Sequence, residues 1–111
     1  MTTAQELDRS IAVERYAETE NELNEPVMTW SVLVKVRAKR RDASDGEKVS
    51  AGQLGATLMT RFVIRSSVTT RKISPTDRIR HDDKIWIIIG IKQADEGRHR
   101  FLEITAITSV D

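Results

Sequence analysis

Cysteine is absent from the 111 residues, which excludes disulfide bonds, thiolate catalysis and cysteine-ligated zinc. Aromatic residues are scarce, at 5%, so few rings are available to stack on unpaired bases. No excess of charge of one sign exists either: the formal net charge is +1, which argues against binding nucleic acid by bulk charge. Long hydrophobic runs are also missing, since the longest, residues 85–91, is far below the ~20 residues that span a bilayer. We therefore expect no membrane partner.

The N-terminal residues lack the basic and apolar regions of a signal peptide, so we expect synthesis in the cytoplasm. The chain length fits a single domain, residues 1–111, with one hydrophobic core. Charged residues make up 32% and hydrophobic residues 39%, a balance typical of a globular chain.

The clearest periodicity is a strict alternation over residues 27–41. Apolar side chains occupy every second position, which predicts a β-strand with one face towards the core. That face would carry Trp30, Val32, Val34, Val36 and Ala38. At about 3.3 Å per residue the strand is long for a small domain, which suggests a curved strand or a projecting hairpin.

Further strand signals begin near Leu7, Met59, Ile79, Lys84 and Phe101. About six strands with regular turns indicate a mainly β fold, which we predict to be a small antiparallel β-barrel. Asn24 suits a tight reversal that requires a positive φ, and a further turn is predicted at Asp82 and Asp83. Gly97 is predicted to take the positive-φ position of a hairpin turn, residues 95–98. Residues 42–58 are rich in glycine and poor in apolar side chains, which predicts a mobile loop with at most a short helix between strands 2 and 3.

The segment "KIWIIIGIK", residues 84–92, is apolar on both faces of a predicted strand. We predict that the row Ile85, Ile87, Ile89 and Ile91 fills the interior and that Gly90 marks a bulge or bend. Trp86 and Ile88 would then face outward and need a cover, which makes them a predicted subunit interface.

No catalytic signature is present: the sequence contains no GxSxG, P-loop, GxGxxG or HExxH motif. His81 and His99 fall in predicted turns without metal-ligand spacing, and paired carboxylates such as Asp82 and Asp83 lie where water solvates them. We therefore predict no enzymatic activity, no metal site and no cofactor.

A basic stripe ends the second predicted strand, formed by Lys35, Arg37, Lys39, Arg40 and Arg41. Such a stripe is commonly a water-facing strand surface that also discourages edge pairing. It could instead contact phosphates or an acidic protein ring, with affinity that does not depend on base sequence. The residues alone leave both interpretations open.

Taken in order, several segments resemble the head–tail joining proteins of long-tailed bacteriophages, also called head-completion or head-closure proteins. They are "LDRSIAVER", "ENELNEPVMTWSVLVKVRAKRR", "DGEKVSAGQLGATLMTRFVIRSS" and "ISPTDRIRHDDKIWIIIGIKQADEGRHRFLEI". The likeness runs from about residue 7 to residue 104. Asn24 stands where the family commonly has glycine, and the basic stripe exceeds the charge usual for the second strand.

The resemblance implies a structural protein of the virion, located at the head–tail interface after assembly in the host cytoplasm. It implies a homo-oligomeric ring, dodecameric in known assemblies, below the portal and adaptor rings. Such a ring extends and helps close the DNA channel and offers a docking surface to tail-end proteins. A tail-terminator or tail-completion ring, and a small OB-like nucleic-acid-binding barrel, remain alternatives.

Carried onto this sequence, the resemblance makes the loop of residues 42–58 channel-facing. Its channel-facing residues would be Asp45, Gly46, Glu47, Lys48, Gly52, Gln53 and Gly55. The basic stripe would contact a neighbouring ring or, without sequence specificity, the packaged DNA.

Overall fold

The structure is a computed structural model, and it describes residues 4–43, 57–93 and 100–109. The described strands are β1 (Arg9–Glu20), β2 (Pro26–Asp42), β3 (Thr57–Arg65), β4 (Arg78–His81), β5 (Lys84–Gln93) and β6 (Phe101–Ser109). Two three-residue 3-10 helices, Ala4–Glu6 and Thr70–Lys72, accompany them. Neither of these described helices is long or apolar enough to cross a membrane.

The six strands form one closed antiparallel barrel in the order β1-β2-β3-β6-β5-β4. Closure is completed by β4, which pairs with β1 at residues 12–14. In a closed ring each strand has a hydrogen-bonded neighbour on both sides. Three residue pairs between β4 and β1 complete this ring. The prediction of a mainly β fold with a small antiparallel barrel is confirmed.

The core fills the inside of the barrel with apolar side chains from alternate strand positions. Phe62 and Ile64 of β3 are fully buried, as the alternation of that strand predicts. Ile104 and Leu102 of β6, both buried, are their partners in the pairing β3–β6, and Trp86 stands edge-on to Phe62 with 5.5 Å between ring centroids. Edge-to-face packing of this kind adds to the stabilisation that burial provides.

A two-stranded hairpin ribbon, residues 15–20 and 26–32, projects from the barrel. These residues of β1 and β2 pair only with each other, because β4 meets β1 at residues 12–14 and β3 meets β2 at residues 38–42. The length of the second strand is thus explained by a projecting hairpin. The predicted core face is wrong at its start: Val32 is 51% exposed, and only Val34, Val36 and Ala38 belong to the core.

The faces of β5 are opposite to the prediction. Trp86 and Ile88 are buried in the barrel, with 0% and 4% exposure, whereas Ile87 and Ile89 are 54% and 43% exposed. Side chains inside the barrel cannot form an outer subunit interface, so the assignment of Trp86 and Ile88 to such an interface is wrong. Isoleucine occurs on both faces of this strand, so the sequence pattern does not show which face is the inner one. The large indole ring of Trp86 fills more of the barrel interior than an isoleucine does, which favours burial of its face.

A β-bulge between Ile88 and Gly90 shifts the register of β5 against β6, as Gly90 suggested. The extra residue reverses which positions face inward, so Ile91 packs against the core although Ile89 does not. A Cβ at Gly90 would meet nothing within 4 Å, so the bulge does not depend on close approach at this glycine.

The predicted turns at Asn24 and at Asp82–Asp83 are confirmed, and the positive φ expected at Asn24 is observed. Asn24 has φ 60°, and Asp82 and Asp83 have φ 58° and 60° in the two-residue loop between β4 and β5. Two consecutive positive φ angles are typical of the type I′ turns that close tight hairpins. The connection between β2 and β3 runs over residues 43–56, and residues 44–56 lie outside the described residues, as do Gly97 and His99.

Candidate interaction surfaces

The tip of the hairpin ribbon is acidic and contains an exposed leucine. Leu23 is 76% exposed. The turn is held by Asn21, whose Oδ1 accepts hydrogen bonds from the backbone N–H groups of Leu23 at 2.9 Å and Glu25 at 3.0 Å. The acidic tip, as we call residues 18–25, carries Glu18, Glu20, Glu22 and Glu25. None of these carboxylates forms an ion pair within the described part of the chain, so the tip presents free negative charge on an ordered turn.

At the other end of β2 the basic residues divide between two faces. Lys35, Arg37, Lys39 and Arg41 share the outer face, and we call these four the outer basic row. Lys39 pairs with Glu6 at 3.3 Å, whereas the other three have no carboxylate partner among the described residues. Arg40, at the alternate position, is directed to the barrel end. The structure therefore separates one member of the predicted stripe from the other four.

Arg40 closes one end of the barrel. Its guanidinium lies 5.1 Å from the centroid of the Trp86 ring, and its Nε donates to Oδ1 of Asp42 at 2.9 Å. His81 lies beside it: Nη1 of Arg40 is 3.4 Å from Nε2 of His81, and Nδ1 of His81 is 3.0 Å from the carbonyl oxygen of Ser10. The imidazole is buried rather than solvated in a turn, and these contacts give Arg40 and His81 structural roles.

The carboxyl group of Asp42 is tuned by this arrangement. Burial opposes its ionisation, but hydrogen bonds from Arg40 and Thr60 and the positive charges of Arg40 and Arg9 outweigh that effect. Together they hold the pKa of Asp42 below its ordinary value. The ion pair of Arg40 and Asp42 is therefore formed at neutral pH and is lost only in acid.

A groove of about 450 Å³ lies at the root of the hairpin ribbon. Arg15 forms one wall: its Nε and Nη2 donate to the two oxygens of Asp77 at 3.0 and 3.1 Å, and these bonds raise the pKa of Arg15. Asp77 is buried and also accepts the backbone N–H of Ser74 at 2.8 Å. Tyr16 and Trp30 form the aromatic side, with 5.1 Å between their centroids. The groove is shaped by fixed groups that already satisfy each other.

A charged cluster supports the same root from beneath. Glu14 is buried at 7% exposure because the bulge in the β1–β2 pairing turns it inward, and Arg78 donates to it at 2.7 Å. The guanidinium of Arg78 in turn lies 4.2 Å from the centroid of Trp30. Sequence reasoning missed Glu14 as a buried residue, because a bulge in a polar stretch leaves no periodic signal.

A second cavity, of about 300 Å³, opens where β2 separates from β3. Leu7 and Val36 form its apolar floor, and Arg37 and Arg65 line it as well. Arg37 lies one residue before Ala38 and Arg65 lies one residue after Ile64, so both lie just beyond the last β2–β3 pair. Neither has a carboxylate partner among the described residues, so this cavity joins apolar surface to free positive charge.

The polar side chains of the described residues can be compared with the requirements of a metal site and of a buried polar site. Across residues 4–43, 57–93 and 100–109, no three His, Asp or Glu side chains lie close enough to hold a metal ion. Every buried side-chain nitrogen or oxygen described has a hydrogen-bond partner. The polar groups of the interior thus serve the fold, and the free charges lie on the surface.

The family model for the phage head completion protein matches residues 2–109, so the chain belongs to that family. It is therefore a structural protein of the bacteriophage virion with a role in joining head and tail. Among curated proteins, none matches this sequence.

Two solved structures share the fold. A Shigella flexneri 2a protein, known from its solution structure, is 24% identical, with a TM-score of 0.68 and 95% of each chain covered. A chain in the virion of a native gene transfer agent particle is 20% identical, with a TM-score of 0.65, covering 94% of this chain and 96% of its own.

Proposed function

We propose that this protein forms a ring at the head–tail interface, below the portal and adaptor rings, and presents the surface onto which the tail docks. The family match over nearly the whole chain carries this proposal. The similar fold in a virion particle supports it, as does a surface suited to docking rather than to catalysis. The ring would extend the DNA channel and act without a cofactor, with the twelve copies that the family resemblance implies.

Within that ring, we assign the channel-facing role to the loop between β2 and β3. Its proposed channel residues are Asp45, Gly46, Glu47, Lys48, Gly52, Gln53 and Gly55, which lie outside the described residues. The described strands support the assignment indirectly, because the end of β2 at Asp42 pairs with Thr60 near the start of β3, so both ends of the loop are attached at the same end of the barrel.

The outer basic row gives the proposed ring a second contact. Lys35 and Arg41 are exposed and have no carboxylate partner among the described residues, so either a neighbouring ring or DNA phosphates could neutralise them. Lys39 belongs to the same face and exchanges its partner Glu6 at little cost, since exposed ion pairs contribute about 0–1 kcal/mol.

The proposal is tested with heads from a phage that lacks this gene. Purified protein is added to DNA-filled tailless heads, which are then imaged by electron microscopy and mixed with tails. We expect added density below the portal and restored tail attachment, and heads without the protein serve as the control. Density on isolated tail ends but not on heads would show a tail-terminator ring instead, and would overturn the proposal.

A DNA-binding barrel is distinguished by its response to salt. Three phosphate contacts give a slope near −2.7 for the logarithm of the DNA-binding constant against the logarithm of salt concentration, from about −0.9 per contact. If the free protein bound short DNA tightly with such a slope and ignored heads, the head–tail role would be wrong. We expect weak binding to short DNA and clear binding to heads.

A further inference from the structure

Two surfaces of the molecule have complementary shape and charge but cannot meet within one copy. The acidic tip lies at the start of β2, and the cavity of Leu7, Val36, Arg37 and Arg65 lies eleven residues further along the same strand. At about 3.3 Å per residue this separation is about 35 Å. Any contact between the two must therefore join two copies.

The tip supplies an apolar side chain flanked by carboxylates. Leu23 is exposed on a turn fixed by Asn21, so little conformational entropy is lost when it becomes buried in a contact. Glu22 precedes it and Glu25 follows the turn, and neither is paired within the described chain. The tip thus combines one anchor with two free negative charges.

The cavity offers the matching features. Its volume of about 300 Å³ exceeds the ~150 Å³ that already accommodates benzene in a protein interior, so a leucine side chain fits. Arg37 and Arg65 lie on neighbouring strands without a carboxylate to separate them. Two adjacent guanidinium groups favour an anionic partner and can bind carboxylates in a bidentate manner.

We propose that the acidic tip of one copy docks in this cavity of a neighbouring copy, with Leu23 on the floor of Leu7 and Val36. Glu22 and Glu25 pair with Arg37 and Arg65. When the contact repeats from copy to copy it is head-to-tail, and such contacts form closed rings when their rotation closes. This inference rests on the proposed ring and names the surfaces that build it.

Each copy gives one tip and receives one, which leaves Lys35, Lys39 and Arg41 free for a neighbouring ring or DNA. One leucine and two ion pairs bury far less than the ~1,200 Å² typical of stable complexes. The contact is therefore weak between two free copies and gains strength when a template holds many copies side by side.

Disulfide crosslinking tests the contact. Because the chain has no cysteine of its own, any disulfide between copies must join the introduced residues. The variant Glu22→Cys/Arg65→Cys keeps Leu23, Glu25 and Arg37. When assembled heads that contain it are oxidised, we expect a ladder of linked copies on a denaturing gel. The same variant, oxidised at high concentration in solution, is expected to give a shorter ladder.

The matched control is Glu22→Cys/Arg41→Cys. Arg41 is an exposed arginine of the same row, but it lies about 13 Å along β2 from Arg37. A disulfide requires Cα atoms within about 7 Å, so the control should give at least tenfold less ladder. Equal ladders from both variants, or linkage of residue 22 to another virion protein, would overturn the contact.

Charge exchange gives an independent readout. Either Glu22→Arg/Glu25→Arg or Arg37→Glu/Arg65→Glu alone should lower incorporation into heads at least tenfold. A mixture of the two variants should restore incorporation, because copies that alternate in the ring pair every tip with a cavity of opposite charge. Unchanged incorporation of both variants would refute the contact while leaving the head–tail role intact. If wild-type protein itself fails to join heads, the proposed function is wrong, and the crosslinking in solution still decides whether copies meet in this way.

Discussion

Two isoleucines that are neighbours on β5 lie in opposite environments. Ile88 is 4% exposed inside the barrel, whereas Ile87 is 54% exposed on its outer face. Ile88→Lys would bury an ammonium group that has no partner and remove the core contacts of the isoleucine. Since Ile→Ala alone costs about 2–5 kcal/mol, we expect the lysine variant to lose most of the free energy of unfolding.

The matched variant Ile87→Lys should change the free energy of unfolding by less than about 1 kcal/mol, because its side chain stays in water. Urea denaturation followed by tryptophan fluorescence measures both. A folded Ile88→Lys protein with an unfolded Ile87→Lys protein would reverse the assignment of faces on β5.

Asp42 makes the stability of the barrel end depend on pH. The pKa of its carboxyl group is lower in the folded protein than its ordinary value of about 4, so ionised Asp42 favours folding. That contribution is present above the ordinary pKa and is lost as pH falls through the lower pKa of the folded state. We expect Asp42→Asn to lower the thermal midpoint at pH 7 and to have little effect in strong acid.

Thermal unfolding at a series of pH values measures this difference. Asp83→Asn, which changes an exposed carboxylate of the nearby turn, serves as the control, and asparagine tolerates its positive φ. A gap between wild type and Asp42→Asn that widened in acid would contradict the role of Arg40 and Asp42.

At this scale the sequence predicts side-chain directions only where the two faces of a strand differ. Arg61 and Arg65 lie on the opposite face of β3 from Phe62 and Ile64, and the two apolar side chains are buried as this pattern indicates. On β5 both faces are apolar, so alternation reveals the strand but not its inner side. The bulge before Gly90 then changes the parity, which no two-residue period contains.

Among the elements, the hairpin β4–β5 depends most directly on its turn. Asp82 and Asp83 both have positive φ, a conformation that costs most L-residues about 1–2 kcal/mol and glycine almost nothing. We expect Asp83→Gly to raise the free energy of unfolding by roughly 0.5–1 kcal/mol, since the second position of a type I′ turn prefers glycine. Asp83→Ala, the matched control, should lower it by a similar amount.

Urea denaturation of both variants checks this prediction, with unchanged slopes indicating that the barrel is intact. If alanine and glycine had the same effect, the turn would not be under the constraint that its φ angles indicate. The choice of Asp83 leaves Asp82 in place, which lies 3.9 Å from Arg40.

Elements were largely predictable because strand alternation and turn residues are local signals. The hairpin ribbon was foreseen only as one of two explanations for a long strand. The acidic tip around Leu23 and the cavity of Arg37 and Arg65 were not predicted from the sequence, because their positions depend on where β3 leaves β2. The groove at the hairpin root likewise joins Arg15 to Asp77, 62 positions apart, and nothing local signals that contact.

Although the whole molecule has a net charge of only +1, its acidic tip and its outer basic row form separate regions of opposite charge. Residues 16–34 contain no lysine or arginine, whereas residues 35–41 contain five. The acidic tip precedes the start of β2, and the basic residues lie in its second half, in a protein 51 Å long. Opposite charges at the two ends favour contacts in which the acidic end of one copy meets the basic end of another.

This polarity predicts the behaviour of the free protein. A contact of one leucine and two ion pairs is too small to hold a ring at low concentration, so we expect monomers or weak oligomers at micromolar concentration and moderate salt. Light scattering after size-exclusion chromatography measures the mass.

Lowering the salt should increase association, since screening weakens exposed charge pairs. The variant Arg37→Glu/Arg65→Glu should remain monomeric at every salt concentration. A stable ring of wild-type protein at micromolar concentration would show an interface much larger than the tip and cavity supply, and assembly would then not require the portal template.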